Sequence, residues 1–366
     1  METEIREALP ANYNFEIRKI VAQINKTGAK KVALQFPEGL LLYASTIADI
    51  LSKHSSHPIS VLIMADVTYG ACCVDDFTAR ALDCSLLVHF GHSCLVPVGI
   101  TNFCGKIRVM YVFVDIAINL DHFSRTLVEN FPSESRLALV STVQFIASLH
   151  SARQDLASHF DSIVIPQAKP LSGGEILGCT APPLKDRANV IIYLGDGRFH
   201  LEAIMIANPS IPAYRYDPYT RKITRESYNH TLMKQVRHHA ILQAKGAQRW
   251  GIILGTLGRQ GSTSVLDWIK NELRKKGCDV VVILLSEIFP AKLELFGDSL
   301  DCFVQIACPR LSIDWGYAFK KPLLTPYECA IVLESAKSWT ADDSEYAMDF
   351  YSRDSLGPWT PNHVSK

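Results

Sequence analysis

KKVALQFPEGLLLYASTIADILSK, residues 30–53, holds the pattern that decides the fold. KKVALQF (30–36) is a short apolar run closed by Pro37 and Gly39, and it reads as a buried strand. LLLYASTIADILSK (40–53) places its apolar residues at helical spacing. Downstream, three more apolar runs follow at SVLIMA (60–65), LLVHF (86–90) and RVMYVFVD (108–115). Runs of this length between amphipathic helices indicate a parallel sheet with βαβ crossovers.

The same pattern restarts twice. RLALVST (136–142) leads into the helical FIASLHSARQDLASHF, then SIVIPQ (162–167), VIIYLGD (190–196) and PAYRYDP (212–218). RWGIILGTL (249–257) leads into STSVLDWIKNELRKKG, then DVVVILLSE (279–287), CFVQIACPR (302–310) and the apolar ECAIVLE (328–334). The starts are spaced by about 105–115 residues, a common domain size. The expectation is a threefold repeat of one small α/β unit with little identity between copies. It divides the chain into 1–130, the first repeat with an N-terminal extension, and 131–223, the second repeat. A connector helix and the third repeat fill 224–335. The tail 336–366 is aperiodic and is expected to lie on the surface or to lack fixed structure.

Bulk properties narrow the function. Lys+Arg and Asp+Glu each number 37. Zero net charge gives no excess of positive charge for nucleic acid or a membrane surface. METEIREALPANYNFEI carries acids and no apolar core, unlike a secretory signal. No apolar run nears the roughly 18 residues a membrane span needs. The longest, VVVILL (280–285), reads as a buried strand. These features point to the cytoplasm, where the ten cysteines are not expected to form a disulfide framework.

Ligands of open parallel sheets bind beyond the carboxyl ends of the strands, so the loops there carry the chemistry. ADVTYGACCVDD (65–76) places Cys72 and Cys73 at a loop-to-helix junction. PLSGGEILGCTAP (170–182) carries Cys179 in a Gly-rich loop. IACPRLSIDWG (306–316) puts Cys308 at a strand end. Taken singly, each could be a buried thiol. Together they offer one strand-end cysteine per repeat, and thiolates hold iron–sulfur clusters. Three ligands would leave one iron of a four-iron cluster open to substrate. HFGHSC (89–94) supports a competing zinc reading through His89, His92, Cys94, Cys72 and Cys84. GTLGRQGS (255–262) opens a helix after a strand and could receive an anion. Gly255, Arg259, Gln260 and Ser262 are its candidate contacts. FPEGL (36–40), STVQF (141–145) and LGDGRFHLEA (194–203) are comparable turns, the last with Asp196, Arg198, His200 and Glu202.

These segments resemble the first-step enzymes of diphthamide biosynthesis, the 2-(3-amino-3-carboxypropyl)histidine synthases, and among them the catalytic subunit 1 of eukaryotes. The matching stretches include ALPANYNFEI, ALQFPEGLLLYA, DVTYGACCVDDFTARALDCSLLVHFGHSCLVP, GGEILGCTAP, GRFHLEA, YRYDPYTRKIT, GTLGRQGS and FVQIACPRLSIDWG, and they span nearly the whole chain. The resemblance implies three repeats arranged in a triangle around a [4Fe–4S] cluster. Its ligands would be Cys72 from YGAC, Cys179 from LGCT and Cys308 from ACPR. Cys73 competes with Cys72, and Cys94 is the runner-up in the first repeat. The implied reaction moves a 3-amino-3-carboxypropyl group from S-adenosylmethionine to carbon 2 of a histidine imidazole in translation elongation factor 2, by radical chemistry. The implied partners are a related second subunit, forming a heterodimer, and a small iron protein that donates electrons. The rival expectations are a noncatalytic iron–sulfur partner subunit of that enzyme and a zinc-dependent hydrolase.

Overall fold

The computed structural model describes residues 1–101, 107–339 and 345–364. Three parallel sheets form the α/β framework. The first runs in the order Ser60–Met64, Lys31–Gln35, Leu86–Phe90, Arg108–Val112. The second runs Ser162–Val164, Arg136–Ser141, Val190–Leu194, Ala213–Asp217, with the antiparallel Lys222–Glu226 added at the edge. The third runs Asp279–Leu285, Arg249–Gly255, Cys302–Ile306, Leu323–Leu324. Numbered by chain order within each sheet, all three share the sequence of strands 2-1-3-4. The order reverses between strands 1 and 3, which is where such sheets open a crevice for ligands.

The chain forms two compact units. Met1–Leu120 with Val143–Ser151 contains the first sheet. Asp121–Thr142 with Ala152–Lys366 contains the second and third. In the first unit, the helix Ile17–Thr27 buries Ile17, Ile20, Val21 and Ile24 along one stripe and stops at Gly28, whose φ of 63° suits glycine. The central strand Leu86–Phe90 is buried throughout. Phe90 stacks on Phe36 with ring centroids 4.3 Å apart. The LLLYASTIADILSK stretch is helical but split into Glu38–Leu41 and Ala44–His54.

In the second unit one continuous core joins the two sheets, from Ala138 and Ile191 to Ile252, Val304 and Ile306. The connector helix is His230–Ala244, capped by the Asn229 side chain accepting from Leu232 N at 3.0 Å. It buries Arg237 against Glu328, with Nε to Oε1 at 2.7 Å and Nη2 to Oε2 at 2.6 Å.

Three expectations need correction. VVVILL is a strand but not a buried one: it forms the edge of the third sheet, with Leu284 63% exposed. An apolar run records β-propensity and not the place of the strand in its sheet. ECAIVLE is not a strand. Pro326–Val332 is helical, started by a capping box between Thr325 and Glu328. The described part of the tail, 345–364, is packed and not merely superficial; 340–344 and 365–366 lie outside the described residues. Tyr346, Met348, Phe350 and Trp359 are all at most 5% exposed. Its buried aromatics are irregularly spaced, so no periodicity announced them.

Candidate metal centre

Cys179 and Cys308 both lie in the second unit, on loops at strand ends. Cys308 follows the strand Cys302–Ile306 after one residue, Ala307, and is the N-cap residue of the helix Pro309–Trp315. Pro309 at the first helical position suits this start, because its missing N–H would have had no intrahelical partner. The side chain of Gln305, fully buried, fixes the turn. Its Nε2 donates to Cys308 O at 2.9 Å and to Ser312 Oγ at 3.0 Å, and its Oε1 accepts from Ala307 N at 3.0 Å.

Cys179 sits in a loop held from two sides. On one side, Gly178 packs against Phe199 so closely that an added Cβ would fall 2.0 Å from the ring. On the other, the tail runs across the loop. Ala181 N donates to Met348 O at 2.8 Å, Phe350 N to Cys179 O at 3.4 Å, and Tyr351 N to Thr180 Oγ1 at 3.0 Å. Cys179 and Pro309 line the same crevice, with Tyr346, Phe350 and Trp359 around it. Burial pushes the Cys179 thiol up to about 12, and the neighbouring Cys308 adds to the rise. Burial raises Cys308 as well.

Two neighbouring, half-buried thiols suit a soft metal centre. Such thiols ionise against a metal cation and give up their protons when it binds. Among the described residues, no three His, Cys, Asp or Glu side chains gather around a point that could hold one metal ion. A cluster asks for a different geometry, since its thiolates are spread over separate irons. Two neighbouring cysteine thiols are the donor type that an iron–sulfur cluster takes.

Arg310 stands beside both cysteine loops and is 2% exposed. Its Nε donates to both oxygens of Asp314, at 2.9 and 3.0 Å. Its Nη1 donates to Phe199 O at 2.7 Å and Gly178 O at 3.4 Å, and its Nη2 to Glu202 Oε2. The guanidinium also lies over the Phe199 ring, 4.6 Å from the centroid. Next to it, burial and then the Arg310 charge hold His200 down to about 4, so the ring is neutral near pH 7.

In the first unit the adjacent cysteines separate clearly. Cys73 is 1% exposed among core residues, whereas Cys72 is half-buried, with its Sγ 3.8 Å from where a Gly70 Cβ would stand. The pair lies in a short turn, Ala71–Cys73, ahead of the helix Asp76–Ala81. Gln35 holds this turn as Gln305 holds its counterpart. Its Nε2 donates to Cys73 O at 2.9 Å, and its Oε1 accepts from Asp75 N at 3.2 Å.

HFGHSC does not form a zinc site. His89 is fully buried, with Nδ1 2.8 Å from Gln35 Oε1 and Nε2 3.1 Å from His92 Nδ1. Both of its ring nitrogens are therefore engaged internally. Cys94 is exposed.

The glycine-rich loop 255–262 joins the Cys308 strand end. A Cβ on Gly255 would lie 2.6 Å from Ala307 Cβ, so only glycine lets the two strand ends approach. Gln260 is 7% exposed, Arg259 is partly buried, and Ser262 caps the helix Thr263–Lys275 by accepting from Val265 N at 3.4 Å. Sequence reasoning missed Gln35, Gln305 and the tail contacts. The Arg310–Asp314 pair had a readable signal, the i,i+4 spacing of opposite charges on a helix.

These features define an α/β protein with two neighbouring cysteines at loop positions of its second unit. A family model for diphthamide synthesis proteins matches residues 36–345. Subunit 1 of 2-(3-amino-3-carboxypropyl)histidine synthase from Gallus gallus is 56% identical over 366 residues, covering 99% of this chain and 87% of the relative. The Homo sapiens subunit 1 is 56% identical over 355 residues, covering 97% and 79%. The crystal structure of Dph2 from Pyrococcus horikoshii with a 4Fe-4S cluster superposes with a TM-score of 0.73 at 26% identity, covering 95% of this chain and 97% of that one. The chain belongs to the diphthamide synthesis protein family.

Proposed function

We propose that this chain is the catalytic subunit that transfers a 3-amino-3-carboxypropyl group from S-adenosylmethionine to carbon 2 of a histidine imidazole in elongation factor 2. It would hold a [4Fe–4S] cluster through Cys72, Cys179 and Cys308. When bound and reduced, that cluster supplies the electron that opens a carbon–sulfur bond of the sulfonium. The observation carrying this reading is the pairing of Cys179 and Cys308, from two different sheets, on one buried Arg310. The cluster in the Dph2 crystal structure and the names of the relatives support it.

The chain's own residues would bind and orient. Cys73 is buried in the core and Cys72 is more exposed, which supports Cys72 as the ligand of this turn. Gly255 keeps the 255–262 loop against the Cys308 strand end, where Arg259, Gln260 and Ser262 would receive the charged methionine end of S-adenosylmethionine. The protein would act in the cytoplasm beside a related second subunit, with a small iron protein as electron donor.

The test is anaerobic purification, iron and sulfide analysis, and an assay with S-adenosylmethionine, reductant and elongation factor 2, with and without the second subunit. Brown protein that modifies the factor, and loses its iron on Cys72→Ala, Cys179→Ala or Cys308→Ala, is expected. Colourless protein with stoichiometric zinc would end the proposal. Arg259→Ala should weaken S-adenosylmethionine binding about tenfold, as for a lost charged hydrogen bond. Unchanged affinity in calorimetry would remove Arg259 from the binding site.

A further inference from the structure

Two cluster ligands in the second unit are 129 residues apart and come from different sheets. Each loop has its own local supports. Gln305 secures the Cys308 turn and the tail secures the Cys179 loop. Neither support alone sets the distance from one thiol to the other.

Arg310 reaches all the pieces. It stands on the helix that begins at Cys308, two residues after that cysteine, and Asp314, one turn further along the same helix, orients its guanidinium. Through Gly178 O it is tied to the residue before Cys179. Through Phe199 O and Glu202 it is tied to the helix Phe199–Ala207, whose Phe199 ring in turn fills the space against Gly178. The fork of a guanidinium can serve these directions at once. A lysine ammonium could supply the charge but not the planar, five-donor geometry. The flanking carboxylates, Glu202 and Asp314, both partly buried, complete an ionic network around the buried guanidinium in which every named group is partnered. Such networks are rigid when fully satisfied.

We propose that Arg310 is a positioning residue for the metal centre, fixing the Cys179 loop to the Cys308 helix so that both sulfurs meet one cluster. This rests on the iron–sulfur reading above. Residues that orient metal ligands from behind commonly change metal affinity about 10–100-fold when altered.

Arg237 provides a matched control. It is also fully buried and paired, to Glu328, but it donates to Leu323 O and to neither cysteine loop. The experiment compares the wild-type chain, Arg310→Lys, Glu202→Gln and Arg237→Lys after anaerobic reconstitution with iron and sulfide. The readouts are iron per chain, the rate of iron loss to a chelator, the electron paramagnetic resonance spectrum of the reduced cluster, and the melting temperature. Arg310→Lys should lose iron at least about tenfold faster than wild type and broaden the resonance. Glu202→Gln, nearly isosteric, should do so to a smaller degree. Arg237→Lys should melt lower yet keep the wild-type rate and spectrum. Wild-type rates and spectra in both Arg310→Lys and Glu202→Gln would overturn the proposal, as would equal iron loss in Arg237→Lys. If Arg310→Lys fails to fold, Glu202→Gln against Arg237→Lys decides alone. A wild-type chain that takes up no cluster would instead overturn the iron–sulfur reading, and this inference with it.

Discussion

At the residue scale, the site depends on side chains whose chemistry is ordinary and whose surroundings are not. Gln35 and Gln305 are buried amides, each clamping the backbone of a cysteine turn. A buried amide must satisfy its donors and acceptor internally, which ties it to one geometry. His200 is the residue whose protonation is most telling. Its folded value of about 4 lies below its ordinary 6.5 because burial, then Arg310, disfavours the charged ring. The unfolded chain therefore binds a proton first as pH falls. Stability from this group is fully present above 6.5, declines as pH drops from 6.5 towards 4, and is then level. Denaturant midpoints between pH 7 and 4 should fall more in wild type than in His200→Gln. Parallel curves would show that the ring is solvated.

At the element scale, the tail is the part with the largest structural consequence for its size. Residues 346–360 bury Tyr346, Met348, Phe350 and Trp359 and lay hydrogen bonds across Cys179 to Ala181. Each buried side chain of this size is worth about 1.5–3 kcal/mol. Truncation before residue 345 should lower the melting temperature clearly and loosen the Cys179 loop first. Hydrogen exchange across 177–181 would show it as faster exchange there than in the strand Arg249–Gly255. Unchanged protection of 177–181 would mean the loop holds without the tail. The strand Asp279–Leu285 teaches the reverse lesson: it is apolar and yet largely exposed, because it is an edge.

At the scale of the whole molecule, one sheet topology occurs three times, and the second and third copies share a core within one compact unit. The Arg237–Glu328 pair ties the connector helix into that unit. Tyr346 OH and Thr325 N also donate to the Glu328 carboxylate, at 2.9 Å each. Breaking one partner of a buried pair costs about 3–5 kcal/mol, because the other charge is left uncompensated. Glu328→Gln should therefore destabilise the second unit by that order in chemical denaturation, whereas a loss below about 1 kcal/mol would mean that solvent reaches Arg237. No helix among the described residues is long and apolar enough to cross a membrane.

The sequence by itself determined the α/β class, the alternation of strand and helix, and the strand-end loops where Cys72, Cys179 and Cys308 lie. These follow from local periodicity and turn chemistry, which neighbouring residues carry. It also marked GTLGRQGS as a glycine-rich turn that opens a helix, whereas the close approach of Gly255 to Ala307 came from the structure. Only the tertiary structure decided that Cys73 is a core thiol while Cys72 is not, that VVVILL is an edge, and that ECAIVLE is a capped helix. It alone decided that Arg310 joins segments from two sheets. The reason is physical: burial, edge position and long-range hydrogen bonds depend on what packs against a residue. That partner can lie more than a hundred positions away, as Gly178 does from Arg310.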